Sequence, residues 1–260
     1  MVDLNLALMN EEEKFALLFG VMLGDGCLSH YFSKTGKEYF AISITGNYYD
    51  DKPFYGAVLI PLLSSLRGKP VKMRERPDGG RIDINFCDRV LFNKIKNLEF
   101  PVGKKGTSLV IPEHFCEKNL MKYIVQGFFA TDGSLVLTKN PNKFYPRLES
   151  QAICKDVLMQ ICDFLNSLGM KGYFYLSKSK PDPRWKIVQT KYKFQFNGKQ
   201  NLILFDNLIG FVNPKHKKRF FDFMKYSEEY DKKIKGVAPF KQKLIREVVN
   251  SNFFSGCGGN

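Results

Sequence analysis

The feature that most constrains the fold of this chain is an apolar segment that occurs twice. The first copy, FALLFGVMLGDGCLS, spans residues 15–29, and the second copy, KYIVQGFFATDGSLV, spans residues 122–136. In both copies a glycine interrupts an apolar helical pattern, and both helical patterns end in Asp-Gly. A repeat of this kind at a constant offset predicts two similar structural units within one chain.

Each copy is predicted to form a helix that packs closely on the other. Asn10 followed by Glu13 is typical of a capping box, so the first helix should run from about residue 11 to Gly24. A glycine inside a helix costs roughly 1 kcal/mol relative to alanine, and its recurrence indicates a compensating close approach of two helix backbones. We therefore predict a helix seam formed by Gly20, Gly24, Gly127 and Thr131.

The remaining sequence predicts the same order of elements in both halves. Each apolar helix is followed by strand-like segments, at residues 36–46 and 70–87 in the first half and 135–150 and 172–197 in the second. Amphipathic helices between them should end at Gly68 and Gly169. The prediction is an α+β fold of two pseudo-symmetric αββαββα halves, residues 1–115 including a linker at 101–115, and residues 116–226, followed by a C-terminal extension at 227–260.

The charge of the chain favours a polyanionic partner. Forty Lys and Arg residues against 26 Asp and Glu residues give a net charge of +14, which indicates nucleic acid first and an anionic membrane surface second. The cysteines show no zinc-binding spacing, and neither a leader nor a membrane-length apolar run is found. The expected location is therefore intracellular, in a prokaryotic cytoplasm or an organelle, with no membrane association.

The two aspartates are the candidate catalytic residues. If the two helices pack about a pseudo-twofold axis, Asp25 and Asp132 emerge side by side, and adjacent carboxylates repel each other unless a cation lies between them. With oxygen ligands and a phosphate substrate, Mg²⁺ is the expected ion, in two or more copies, and the supported reaction is phosphodiester hydrolysis. A single Asp-Gly is more often a turn, but its duplication after two such helices favours a site.

These residues resemble the paired motifs of the LAGLIDADG homing endonucleases, aligned as LFGVMLGDG (18–26) and VQGFFATDG (125–133). The segments ISITGN (42–47), PVGKKGTSLVIP (101–112) and IGFVNPKHKKRF (209–220) also resemble family segments. The resemblance implies a saddle of curved sheets and a monomer that acts without an obligate protein partner. It also implies Mg²⁺-dependent double-strand cleavage of a long asymmetric DNA site with short 3′ overhangs.

The resemblance also implies further site residues. Gly24 and Thr131 are expected in the metal site beside Asp25 and Asp132. Each half of such a protein carries basic and polar residues that organise water, and the strand positions here nominate Arg81 and Lys193, with Gln151 as a polar helper. For Asn47, water positioning and turn formation both stay open.

DNA contacts are predicted on the exposed faces of the strands and at the start of a basic segment near the end of the second half. Alternating basic and aromatic side chains suit a curved sheet in the major groove. The basic segment NPKHKKRFFDFMK (213–225) is expected to be a helix whose lysines meet phosphates. The predicted DNA-binding residues are Lys72, Arg74, Arg76, Lys171, Tyr173, Tyr175, Lys186, Lys191, Lys215 and Lys218.

Three functions from different classes fit these patterns. The first is a DNA endonuclease, free-standing or intron-encoded; the second is a binding module of the same fold without cleavage, such as an RNA maturase or a transcriptional regulator. The third is a basic structural protein in which the doubled helices form only a core. Retention of both Asp25 and Asp132 favours cleavage, since a module that only binds DNA has no use for two unpaired acids directed at it.

Overall fold

A computed structural model of the chain describes residues 6–117, 119–140, 143–177 and 190–233. The first half consists of α1 (Glu11–Asp25), β1 (Gly26–Phe32), β2 (Glu38–Asn47), α2 (Tyr48–Phe54), α3 (Ile60–Arg67), β3 (Met73–Arg76), β4 (Arg81–Cys87) and α4 (Arg89–Lys96). A π-helical turn at Tyr55–Leu59 joins α2 to α3, and a 3-10 turn at Pro77–Gly79 joins β3 to β4. Gly68 ends α3 in the left-handed conformation, with a φ of 63°, where glycine has no steric penalty.

The second half repeats this order. After a short helix α5 (Glu113–Glu117), it consists of α6 (Met121–Thr131), β5 (Gly133–Asn140), β6 (Lys143–Ala152), α7 (Lys155–Ser167), β7 (Gly172–Ser177), β8 (Lys191–Asn197), α8 (Lys199–Leu208) and α9 (Pro214–Lys233). Helix α9 has no counterpart in the first half.

The two sheets have the same topology. Each has four antiparallel strands, in the order β1-β2-β4-β3 in the first half and β5-β6-β8-β7 in the second. One face of each sheet is apolar and packs on the helices, and buried side chains from both halves form one core. The α+β prediction with two αββαββα halves is therefore confirmed. Among the described residues, no helix has the length and apolar character needed to cross a membrane.

The first strand begins earlier than the sequence predicted. The segment predicted at 36–46 contains only β2, whereas β1 starts at Gly26, directly after the last residue of α1. The backbone of Gly26 is extended (φ −81°, ψ 155°) while its N–H still bonds to the Met22 carbonyl. The Asp-Gly pair is thus a direct helix-to-strand junction, and no separate turn follows it.

The glycines of both Asp-Gly pairs are required by close packing. A Cβ added to Gly26 would lie 2.5 Å from the Met22 Cα, and one added to Gly133 would lie 2.6 Å from the Phe129 carbonyl oxygen. Both contacts are shorter than any side chain tolerates, because the strand turns back against the last turn of its own helix. This close approach explains why the dipeptide occurs twice.

Two of the predicted boundaries fall inside helices. The boundary between residues 115 and 116 lies within α5, and the boundary between 226 and 227 lies within α9. The division into halves is a prediction that rests on the repeat. Residues 234–260, which make up most of the predicted C-terminal extension, lie outside the described part.

Candidate functional site

The site begins with the close packing of α1 against α6. The capping box predicted at Asn10 and Glu13 is present: the Asn10 side chain accepts from the Glu13 N–H at 2.9 Å, and the Glu13 carboxylate accepts from the Asn10 N–H at 2.9 Å. Glu13 also accepts a hydrogen bond from the Tyr123 hydroxyl at 2.6 Å. The two helices are therefore fixed to each other at the N-terminal end of the pair.

The seam residues lie at the crossing of these helices. A Cβ added to Gly20 would lie 2.1 Å from the Ile124 carbonyl oxygen, and one added to Gly127 would lie 2.1 Å from the Leu17 carbonyl oxygen. One turn further, a Cβ added to Gly24 would lie 2.0 Å from the Thr131 hydroxyl oxygen. The seam therefore has glycine opposite backbone at its centre and glycine opposite threonine near the aspartates.

Thr131 directs its hydroxyl back into its own helix. That hydroxyl donates to the carbonyl oxygens of Phe128 at 2.9 Å and Gly127 at 3.3 Å. A metal contact from this residue would therefore use its main-chain carbonyl. The same main-chain contact is available from Gly24, which has no side chain.

Asp25 and Asp132 follow the seam and share one electrostatic environment. The pKa of Asp25 is raised from 3.8 to about 7, first by burial and then by the carboxylates of Asp132 and Asp51, while Lys105 and Lys215 oppose the increase. Burial also raises the pKa of Asp132, and Lys105 again opposes it. Asp132 is exposed to solvent, although enough protein surrounds its carboxyl group to raise the pKa. Two carboxyl groups whose pKa values are raised in this way gain from a bound cation, which offsets their burial and their mutual repulsion.

Lys105, a linker residue that the sequence did not indicate as part of the site, contacts the end of α1. The Lys105 ammonium donates to the carbonyl oxygens of Met22 at 3.3 Å, Leu23 at 2.9 Å and Gly24, which are the last carbonyls of α1. Burial lowers the pKa of Lys105, and the charges of Asp132 and Asp25 act in the opposite direction. The linker is held beside β1 by a hydrogen bond of 2.7 Å from the Gly103 N–H to the Leu28 carbonyl.

A third carboxylate, that of the buried Asp51, connects the two halves next to the site. Its oxygens accept from the Asn47 N–H at 3.0 Å, the Asn213 amide at 3.2 Å and the Lys215 ammonium at 2.7 Å. The Asn213 amide also donates to the Ala130 carbonyl at 2.8 Å. The start of α9 is thereby fixed to α2 and α6.

The donor set fits a hard cation with few protein ligands. Among the described residues, no group of three or more His, Cys, Asp or Glu side chains could hold a metal ion by itself. The protein offers the carboxylates of Asp25 and Asp132 and main-chain carbonyls at the helix ends, of which Gly24 already attracts the Lys105 ammonium. Mg²⁺ is commonly bound by one or two carboxylates, with water and substrate phosphates completing its coordination.

The nominated basic residues occupy non-equivalent positions. In the first sheet Thr45 lies opposite Asp83 and Asn47 lies opposite Arg81. In the second sheet Gln151 lies opposite Lys193. Since Gly26 pairs with Ile44 as Gly133 pairs with Ser150, Gln151 corresponds to Thr45, and Lys193 corresponds to Asp83. The position of Arg81 is matched by Lys191.

Asn47 has a structural role. Its side-chain oxygen accepts from the Tyr49 N–H at 2.9 Å and from the Asp50 N–H at 3.2 Å, so it caps α2. The sequence left water positioning and turn formation open for Asn47, and these hydrogen bonds support turn formation.

The predicted DNA-binding residues of the first half lie on the polar face of their sheet. A concave depression of about 470 Å³ on this face is lined by Ser43, Thr45, Lys72, Met73, Arg74, Arg76, Arg81, Asp83 and Asn85. Asp83 is buried at its base, with Arg81 at 3.2 Å and Arg76 at 3.5 Å. These two arginines are held in place by an acid beneath them.

The second sheet has a similar arrangement. Glu149 contacts Arg147 at 2.5 Å, Lys193 at 2.9 Å and Gln195 at 3.1 Å. Strand alternation places Tyr173, Tyr175, Lys191, Lys193 and Gln151 on the same face as Glu149. Tyr173 is 70 % exposed and Tyr175 is 38 % exposed, which leaves both rings accessible to a ligand. Lys186 lies outside the described residues.

Helix α9 docks on the core as predicted, through the buried Phe220 and Phe223. Two of its lysines differ in how accessible they are to a DNA phosphate. Lys215 is paired with Asp51 inside the protein, whereas Lys218 is 77 % exposed and contacts Asp222 within its own helix. Lys218 is thus better placed than Lys215 to meet a phosphate.

Comparison with known proteins identifies the fold. No model of a protein family matches the chain, and no curated protein matches it either. Among solved structures, I-DmoI in complex with DNA and manganese is similar with a TM-score of 0.55 and 18% identity, over 77% of this chain and 98% of that one.

Two further structures cover nearly all of the chain. The LAGLIDADG homing endonuclease I-LtrWI bound to target DNA matches with a TM-score of 0.51 and 13% identity, over 93% of this chain and 97% of that one. The LAGLIDADG meganuclease I-AabMI bound to uncleaved DNA matches with a TM-score of 0.53 and 12% identity, over 96% of this chain and 100% of that one. At these identities the likeness shows the fold, and the LAGLIDADG fold predicted from the two motifs is confirmed.

Proposed function

We propose that this protein is a site-specific DNA endonuclease that makes Mg²⁺-dependent double-strand breaks in a long asymmetric DNA target. The observation that carries this proposal is the position of Asp25 and Asp132. They lie together at the ends of two tightly packed helices, and each is followed directly by the first strand of a sheet. The similar structures I-DmoI, I-LtrWI and I-AabMI are described as endonucleases or meganucleases bound to DNA, which supports the same ligand here.

The catalytic centre is built from both halves. Asp25 and Asp132 would hold the metal, with the main-chain oxygens of Gly24 and Thr131 as further ligands. Mg²⁺ in such a site, in two or more copies, would polarise the scissile phosphate and supply hydroxide from bound water. Gln151 and Lys193, directly opposite each other on β6 and β8, orient water on the second half. The first half has Thr45 and Asp83 at these positions, with Arg81 donating to the Thr45 hydroxyl at 3.4 Å.

The polar faces of the two sheets bind the DNA. Lys72, Arg74 and Arg76 contact one half of the target, and Lys171, Tyr173, Tyr175 and Lys191 contact the other. Lys218 lies near a phosphate, whereas Lys215, which is paired with Asp51, does not. The two faces carry different side chains, so the target is asymmetric. Both halves belong to one chain, so the active form is a monomer without an obligate protein partner. An intracellular, intron-encoded or free-standing enzyme fits this reading.

The direct test is selection of cleaved sequences from a randomised double-stranded DNA library. The protein is incubated with the library in Mg²⁺ and, in parallel, in EDTA, and cleaved ends are captured and sequenced. We expect one long enriched sequence with a defined cut on each strand in Mg²⁺ only. Enrichment of bound but uncleaved DNA in both conditions would instead identify a binding module of the same fold.

A further inference from the structure

The two halves differ at the strand position of Lys193. In the second half, the Lys193 ammonium on β8 lies 2.9 Å from the carboxylate of Glu149. The register of the two sheets places Asp83 of β4 at the equivalent position in the first half. Asp83 is itself paired with two arginines, Arg76 and Arg81. The strand of the first half therefore carries an acid where the strand of the second half carries a lysine.

Arg81 does not occupy the position of this lysine. The register matches Arg81 with Lys191, at the outer end of β8. Its side chain is 50 % exposed, contacts Asp83 at 3.2 Å and donates to the Thr45 hydroxyl at 3.4 Å. Arg81 is therefore placed for a DNA contact on the sheet surface, as Lys191 is in the second half.

A lysine from the second half reaches the first half at Asp51. Lys215 lies near the start of α9, and its ammonium is 2.7 Å from the carboxylate of Asp51, which belongs to α2. The side chains of Lys215 and Asp51 are 24 % and 11 % exposed, and those of Lys193 and Glu149 are each 16 % exposed. Each half therefore contains a half-buried lysine that is held by a carboxylate.

The position of Lys215 is fixed by Asn213, which is fully buried. The Asn213 side-chain oxygen accepts from the Lys215 N–H at 3.1 Å. Its amide group donates to Asp51 at 3.2 Å and to the Ala130 carbonyl at 2.8 Å. Since Ala130 lies two residues before Asp132, Lys215 is held in a defined place relative to both halves of the site.

The pair of Asp51 and Lys215 lies on the Asp25 side of the site. The Asp51 carboxylate accepts from the Asn47 N–H at the end of β2, and β2 pairs with the strand that begins directly after Asp25. Burial raises the pKa of Asp25, and the charge of Lys215 opposes this increase. The pKa of Asp132 is raised by burial, and a different lysine opposes that increase. Lys215 therefore acts on one of the two acids.

The ammonium of Lys215 is suited to holding water. An ammonium group has three N–H donors, of which Asp51 accepts one, and the side chain is only half-buried. We propose that Lys215 orients water beside Asp25 and so serves the first half as Lys193 serves the second. This inference rests on the proposed endonuclease function. Lys215 is a positioning residue, because it acts through water and is not a contact of the DNA backbone.

The first experiment follows the two strands of a duplex target separately, with a different fluorescent label on each, in Mg²⁺ and at saturating protein. We expect Lys215→Met to slow the cutting of one strand by about tenfold or more, and Lys193→Met to slow the cutting of the other. The affinity of Lys215→Met for the target in Ca²⁺ should equal that of the wild type, so that the loss falls on kcat and not on KM. Lys215→Arg, which keeps the charge, should recover part of the rate.

The matched control is Lys225→Met, an exposed change on the same helix, which should cut both strands at the wild-type rates. An unchanged ratio of the two strand rates in Lys215→Met overturns the proposal, as does a loss on the strand that Lys193→Met also affects. A strand-specific loss in Arg81→Met, together with wild-type rates in Lys215→Met, overturns it as well and assigns the role to Arg81.

The second experiment separates this role from a contribution to folding. Lys215→Met leaves the buried carboxylate of Asp51 unpaired, which destabilises a protein, whereas the double variant Asp51→Asn with Lys215→Met removes both charges. We expect the double variant to unfold at nearly the same urea concentration as the wild type and still to lose the rate on the same strand. Recovery of both strand rates in the double variant overturns the proposal, because the ion pair would then serve only the fold. A double variant that does not fold overturns it for the same reason.

The outcomes separate this inference from the proposed function. If the wild type cuts neither strand in Mg²⁺, the endonuclease proposal fails and the role of Lys215 fails with it. If the wild type cuts both strands and Lys215→Met leaves the ratio of their rates unchanged, the endonuclease proposal stands and the role of Lys215 is wrong.

Discussion

At Gly20 and at Gly127, backbone atoms of the opposite helix occupy the space that a side chain would need. A Cβ on Gly20 would lie 2.1 Å from the Ile124 carbonyl oxygen, and a Cβ on Gly127 would lie 2.1 Å from the Leu17 carbonyl oxygen. Both obstacles are backbone atoms, which cannot rotate away. The distance between the helices, and with it the relative position of Asp25 and Asp132, therefore depends on the absence of side chains at these two residues.

Alanine at either seam glycine should destabilise the protein. Although alanine favours a helix, we expect Gly20→Ala and Gly127→Ala each to lower the free energy of unfolding by about 1 to 3 kcal/mol or more, because the helices must separate. Leucine at either position should lower the free energy of unfolding further, because its side chain is larger. Urea denaturation measures the effect.

The control for these variants is Gly56→Ala. Gly56 has open space around its missing Cβ, so this change should be neutral or stabilising by up to about 1 kcal/mol. Gly103 in the linker is unsuitable, because its φ of 88° disfavours any side chain. Equal stability of the seam variants and the wild type would contradict the observed helix packing.

Replacing either aspartate should abolish double-strand cleavage. Asp25→Asn and Asp132→Asn retain shape but remove a charge that Mg²⁺ needs, so we expect losses of several orders of magnitude with DNA binding retained. Supercoiled plasmid carrying the selected target reports nicked and linear product, and binding is measured in Ca²⁺. Asp163→Asn, an exposed change on α7, is the matched control. Linear product at the wild-type rate from Asp25→Asn would show that the aspartates serve only the fold.

The raised pKa of Asp25 predicts the pH dependence of stability without metal. Between pH 3.8 and about 7 the folded protein retains a proton that the unfolded chain releases. The free energy of unfolding should therefore fall as the pH rises through this window, and Asp25→Asn should remove that part of the decrease. Urea denaturation in EDTA at a series of pH values tests this. Parallel curves for the wild type and Asp25→Asn would show that Asp25 does not titrate in this range.

DNA affinity should depend steeply on salt. The logarithm of the binding constant is expected to fall by roughly 0.9 per neutralised phosphate for each unit of log salt concentration. Lys72→Ala and Arg74→Ala should each reduce the magnitude of this slope by roughly 0.9, the contribution of one phosphate. Lys96→Ala, on α4 at the helical side of the same sheet, should leave the slope unchanged. Fluorescence anisotropy with a duplex target measures the slopes. A flat dependence for the wild type would contradict an extended DNA interface.

Several features could be predicted from sequence because they are periodic or repeated. The capping box at Asn10, the end of α3 at Gly68 and the alternation that puts Arg74 and Tyr173 on polar sheet faces are local patterns. The start of β1 at Gly26 was missed, since turn propensity hides a direct junction from helix to strand. The register was also missed, because alternation fixes the face of Arg81 and Lys193 but not their positions along the strands.

The sequence by itself determined the twofold architecture, the small-residue helix pair and the position of one aspartate at the end of each helix, because each follows from spacing within one segment and its recurrence. Only the tertiary structure decided which charges meet. Lys104 and Lys105 are consecutive lysines between two glycines, and Lys215 is one of several basic residues in the segment 215–219. Yet Lys105 reaches the end of α1, and Lys215 pairs with Asp51. Such contacts join residues far apart in the chain, so they depend on how the halves and the linker pack together and leave no local pattern to read.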